Sequence, residues 1–258
     1  MNTSDWAAFP YQSKAYLYPG EALAESWDIL HRGDAEPLPA SSDILEAWRR
    51  YHAGNFAGAV ALADEIGPDA HAVANKASGI YADYLEDDEN TRLAIYKAGI
   101  NRAESAISTH PDDANAHYFH AFLLGRYSQS ISIARALSQG IGGKVRESLE
   151  NALELAPEHA EAHTALGLYH AEIIGKIGRM VGRLTYGASI DEALDHFERA
   201  LSLTPDAPIA HLEYGNGLYL MFGDRRLEES NAAYKKAASM KPVDAMQRLD
   251  MEFARASI

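Results

Sequence analysis

The chain has no cysteine in its 258 residues. That absence excludes disulfides, thiolate metal sites and a cysteine nucleophile together. Basic residues are outnumbered by acidic ones, 23 to 37, for a formal net charge of −14. The excess opposes nonspecific contact with nucleic acid or anionic lipid over the whole surface, so such contact would need a local basic patch. Missing too is any run of roughly 18 uninterrupted apolar residues, the length a membrane-spanning helix requires. The first twenty residues carry Asp5, Lys14 and two prolines, and no apolar stretch resembling a signal peptide. The expectation from these absences is a cytoplasmic protein with no membrane span and no nucleic-acid partner. At 47% hydrophobic residues the chain is a folding one, long enough to bury a substantial core.

What is present is a repeated pattern. Pro111, Pro157 and Pro205 each end a similar helical stretch, and each is followed six residues later by a histidine: His117, His163 and His211. A fourth proline, Pro242, closes the series. Apolar and small residues at helical spacing run through Ala160–Ala171, with Gly167 placed where two helices can approach closely. A second stripe runs Ile190, Ala193, Leu194, Phe197, Ala200 and Leu201, stopped before Pro205. Neither helix can bury its apolar face alone, so neighbouring hairpins must stack.

The order Ala162, Leu166-Gly167, Ala193, Phe197, Ala200 and Pro205 resembles the tetratricopeptide repeat. The segment from Pro205 through Tyr214-Gly215, Tyr234 and Ala237 to Pro242 fits it again. Gly54-Asn55-Phe56 looks like the turn of a degenerate first copy. The resemblance implies an all-α, right-handed superhelical array of about five helical hairpins over residues 41–242. An N-terminal extension with a short helix would occupy 1–40, and a C-terminal helical tail 243–258. The spacing departs from the family: the intervals after Pro111 and Pro157 are 46 and 48 residues, against about 34 for this repeat. The excess falls within the hairpins, between their two helices.

These inserts are chemically distinct. Residues 125–144 and 173–187 contain Arg126, Arg135, Lys144, Lys176, Arg179 and Arg183 and no acidic residue. Read as a continuous helix, 173–187 places Lys176, Arg179 and Arg183 on one face and Ile173, Ile177, Val181 and Leu184 towards another. Either the guanidinium groups meet an anionic ligand or acidic peptide, or they pair with scaffold carboxylates such as Glu161, Glu172 or Asp195. With the residues that continue from it, the second insert is similar to two insert-bearing repeat families: the regulator of microtubule dynamics family and the T component of TRAP-type transporters. The first implies a scaffold or tether, the second a soluble partner of a solute-binding protein.

Other chemistry is thinly supported. The shared slot of His117, His163 and His211 favours packing over metal binding. Glu161 between His159 and His163 matches no metalloprotease spacing, and Gly140–Lys144 lacks the first glycine and the hydroxyl residue of a phosphate loop. No catalytic residue, metal or cofactor is assigned. First-helix residues normally line the groove of such an array: here Asn115, Tyr118, Phe122, Arg126, Glu161, Thr164, Leu168, Glu172, Leu212, Asn216 and Tyr219. The expected binding set is Tyr118, Phe122, Arg126, Arg135, Thr164, Glu172, Lys176, Arg179, Arg183, Asn216 and Tyr219. The expected function is noncatalytic scaffolding through a protein or peptide partner in the groove. One alternative is a carrier of a small anionic or amphipathic molecule, its pocket roofed by the basic inserts. Another is an enzyme using His163 and Glu172 as acid and base.

Overall fold

The computed structural model describes residues 3–258, and among them every regular element is helical. Two compact units are present. The first comprises the chain up to His31, Glu36–Leu155 and Val243–Met246. After two single-turn helices, α1 (Ala22–Glu25) and α2 (Trp27–Leu30), come three hairpins. They pair α3 (Ser42–His52) with α4 (Phe56–Ile66), α5 (His71–Tyr84) with α6 (Glu89–Thr109), and α7 (Ala114–Gln129) with α9 (Ile141–Leu155). The short helix α8 (Ile133–Ser138) lies between the last two. The second unit comprises Arg32–Ala35, Ala156–Pro242 and Gln247–Ile258. It pairs α10 (Ala160–Ile177) with α12 (Ile190–Leu203) around the inserted α11 (Arg179–Tyr186), and α13 (Pro208–Phe222) with α14 (Leu227–Ala238). Most of α15 (Ala245–Ala256) also belongs to it.

The helices begin where side chains can satisfy their first amides. Asn55 caps α4 at Gly58, Asp88 caps α6 at Thr91, Ser132 caps α8 at Arg135 and Ser189 caps α12 at Glu192. After the repeat prolines one slot is filled three ways. Asp113 accepts from the amides of Asn115 and Ala116. The buried imidazole of His159 accepts from Ala162 N–H at 3.0 Å. Ala207, third in the slot, offers no side-chain cap, and Pro208 after it has no N–H to satisfy.

The repeated histidines have a definite task. Nε2 of His117 lies 2.9 Å from the Pro111 carbonyl oxygen, His163 Nε2 lies 3.1 Å from Pro157 O, and His211 Nε2 lies 2.9 Å from Pro205 O. A carbonyl can only accept, so each imidazole donates from Nε2 and clasps the turn between the proline and the helix that carries the histidine. Packing alone does not account for the slot; a hydrogen bond does.

Phe197, fully buried, anchors the second unit. A Cβ added at Gly167 would stand 3.0 Å from its ring, and one at Gly217 only 2.5 Å away. Glycines on α10 and α13 thus let both helices close on one aromatic ring, as the sequence suggests for Gly167. Ala171, Ile174, Ala193 and Met221 complete this cluster.

In the first unit the return of Val243–Met246 completes a polar core. His52 Nδ1 is 2.8 Å from Asp244 Oδ2, and His52 Nε2 is 3.2 Å from His31 Nε2. With the carboxylate ionised, His52 donates to Asp244 and its Nε2 accepts from His31. Trp27 stacks on His31 at 3.9 Å, and its indole N–H donates to Glu36 O at 2.8 Å.

The clasp gives a graded expectation. His117 is the most buried of the three histidines, and His117→Ala should cost about 1–3 kcal/mol by removing a buried ring together with its hydrogen bond to the Pro111 carbonyl. His211→Ala, at a more exposed clasp, should cost about 1 kcal/mol or less. Urea midpoints of the two variants against the parent measure this order.

Candidate functional site

Each insert carries a helix of its own, and the two treat their charges differently from one residue to the next. In the first, Arg126 near the end of α7 is tied down. Its Nε lies 2.8 Å from Asp83 Oδ2, and its guanidinium sits 5.6 Å from the Phe122 ring centre. Tyr96 donates to the same Asp83 carboxylate, and burial followed by that negative charge pushes the Tyr96 hydroxyl pKa up. Phe122 stacks on a buried Tyr118. Beyond this network α8 presents Ile133, Leu137 and Arg135 to solvent.

In the second insert, Lys176 Nζ pairs with Glu172 Oε2 at 2.6 Å, one turn back on α10. The continuous helix expected over 173–187 does not form. Gly178, at φ +82°, ends α10 and starts α11 in a conformation that side-chain-bearing residues rarely adopt. The break re-aims α11. Its Gly182 is buried against Ile173, the Ala188 amide donates to Gly182 O at 3.2 Å, and the Tyr169 hydroxyl reaches Tyr186 O at 3.4 Å. Held from that side, α11 leaves Met180, Val181 and Leu184 exposed at 77%, 53% and 81%. Arg179 and Arg183 stand exposed beside them with no acidic partner among the described residues. Apolar and basic side chains of α11 are therefore both solvent-exposed, on adjacent faces of the short helix.

The first-helix positions divide similarly. Tyr118 and Thr164 are buried, and the Thr164 hydroxyl donates to Ala160 O at 2.9 Å, so neither lies on an open groove. Glu172 is committed to Lys176, and Asn216 donates to Glu213 at 3.1 Å. Tyr219 on α13 is 52% exposed. The binding set proposed from sequence thus separates into tethered members (Arg126, Glu172, Lys176), buried ones (Tyr118, Thr164), and exposed Arg135, Arg179, Arg183 and Tyr219. Phe122 and Asn216 are half-buried.

His163 is fully engaged: Nε2 donates to Pro157 O, and Nδ1 lies 2.8 Å from His196 Nδ1. With both ring nitrogens occupied, it offers no free base to pair with Glu172. Among the described residues no group of three or more histidine, aspartate or glutamate side chains is arranged to hold a metal ion. Sequence motifs gave no sign of the cluster of His31, His52 and Asp244, whose partners lie up to 192 residues apart. Nor did they mark a solvent-open cavity of about 590 Å³ in the first unit. Neither insert contributes a residue to that cavity.

Residues 49–254 match the family described as regulator of microtubule dynamics protein 1-3. The chain belongs to this family. The matched span runs from within α3 to within α15 and includes both inserts. Regulator of microtubule dynamics protein 3 from Xenopus laevis is 27% identical over 127 residues, which is 47% of this chain and 27% of that protein. The Bos taurus protein of the same name is 26% identical over 133 residues, 48% of this chain and 28% of that protein. The chain therefore aligns with little more than a quarter of these relatives' length. In fold it is similar to a thermophilic TPR protein of Thermus thermophilus, with a TM-score of 0.57 at 18% identity. That match covers 83% of this chain and 97% of the other. Membership of the regulator of microtubule dynamics family and an all-α TPR-like fold are thereby established. No helix among the described residues is long and apolar enough to cross a membrane.

The clasps carry a pH dependence. Burial lowers the His163 and His211 pKa values, outweighing the stabilising proline carbonyls, with Arg199 and Lys236 adding repulsion. A group depressed on folding binds protons more readily when unfolded, so its contribution is complete above the unfolded value of about 6.5. It is lost as pH falls below that value towards the folded pKa. The melting temperature should fall on acidification from pH 7.5 to 5.5, and the double variant His163→Gln with His211→Gln should show a smaller fall. Thermal melts at both pH values check this.

Proposed function

We propose that this chain is a noncatalytic scaffold of the regulator of microtubule dynamics family that engages a protein partner through its second insert. The observation that carries the reading is α11. It holds three outward apolar side chains and two arginines that no carboxylate among the described residues neutralises, in a chain of net charge −14. A surface of this composition, set on a rigid hairpin, gains from covering its apolar atoms. Its guanidinium forks select an acidic complement. The fixed break at Gly178 pre-orients it, which lowers the ordering cost of docking. Arg126 is spent on Asp83 of the neighbouring hairpin, and Lys176 on Glu172 along its own helix. Exposed Tyr219 adds an aromatic contact on α13 for an extended acidic segment.

The reading is tested with a photo-crosslinking residue in place of Leu184 in the chain expressed in its native cells. A defined protein should crosslink there, and Arg179→Glu with Arg183→Glu should cut its recovery by about tenfold or more while the melting temperature holds within about 2 °C. Equal recovery by the charge-reversed chain would overturn the assignment.

A further inference from the structure

The cavity in the first unit has a composition that the scaffold does not need. It lies where the N-terminal segment crosses the turn between α3 and α4. The segment is held there by specific contacts. Trp6 stacks on Tyr81 at 4.0 Å, the Ala7 amide donates to the Tyr81 hydroxyl at 3.1 Å, and Phe9 packs edge-on against Phe56. Pinned at these points, it leaves about 590 Å³ beside it, within the roughly 300–1,000 Å³ of small-molecule sites.

The lining is one-sided in charge. Trp6 and Leu17 supply the accessible apolar wall, with the buried rings of Phe9 and Phe56 behind it, and Gln12, Ser13, Lys14 and Asn55 supply the polar groups. No lining residue is acidic, although carboxylates outnumber basic groups in the whole chain. The Lys14 ammonium has no carboxylate partner among the described residues, and the Gln12 side chain makes no hydrogen bond there. Asn55 spends its Oδ1 on the Gly58 amide, capping α4, which leaves its Nδ2 hydrogens to donate. Unspent donors and one cation thus border an apolar wall in which Trp6 is the accessible ring.

We propose that this cavity binds a small amphipathic monoanion, a carboxylate head on an apolar body. The head meets Lys14, with Gln12 and Asn55 as further donors, and the body lies against Trp6 and Leu17. The charge of the wider surface does not forbid this. Screening limits its reach to about 8 Å at physiological salt, so the nearest cation dominates the local field. The site is separate from α11 and stands whether or not that helix binds a protein.

Calorimetric titration of the full chain with decanoate below its micellar concentration, and with 3-phenylpropanoate, tests the proposal. Decyltrimethylammonium serves as the charge-inverted probe. One carboxylate should bind saturably, and which binds tighter tells whether the body is alkyl or aryl. Affinity should fall in the order parent, Lys14→Gln, Lys14→Glu, by about tenfold overall, with unchanged melting temperature because Lys14 is exposed. Binding should shift the Trp6 fluorescence, and Trp6→Phe should remove that component of the signal. The proposal is overturned if neither carboxylate binds saturably, if the ammonium probe binds the parent equally well, or if Lys14→Glu binds within twofold of the parent.

Discussion

An imidazole N–H donated to a proline carbonyl six residues back closes three successive turns of the repeat. Proline stops the preceding helix because it cannot continue the hydrogen-bond ladder, and its own carbonyl is left looking for a donor. A histidine one turn into the next helix supplies it. The bond therefore ties the turn to the first turn of that helix. The same two helices, α10 and α13, close through their glycines on Phe197.

The regularity of this device explains why the architecture was legible in the sequence. Prolines, histidines and small residues recur at fixed offsets, and the hairpins fall where those offsets place them. The bond itself was not legible, because recurrence marks a slot without saying what the side chain there does. Gly178 shows a second limit. Composition predicts an amphipathic helix through 173–187, and a single positive φ breaks it, so that α11 keeps its two faces but leaves the line of α10.

Tertiary partners were the least visible part of the site. Arg126 and Asp83 come from different hairpins, as do the rings that enclose them. His52 meets Asp244 across 192 residues. Local pattern identifies an acid-free insert but cannot tell a tethered cation from a free one; distance decides between Lys176 and Arg179. The same holds for the cavity beside Trp6, which depends on where the N-terminal segment crosses α3 and α4.

The clasp also separates two kinds of length in this chain. It spans the six residues from each proline to its histidine, whereas α8 and α11 lie inside hairpins, between their paired helices. Residues can be added to or removed from either insert without altering the distance that the imidazole bridges. Turn geometry and insert size are thus independent variables, and the surface carried by α11 can diversify among family members while the helices that hold it keep their places.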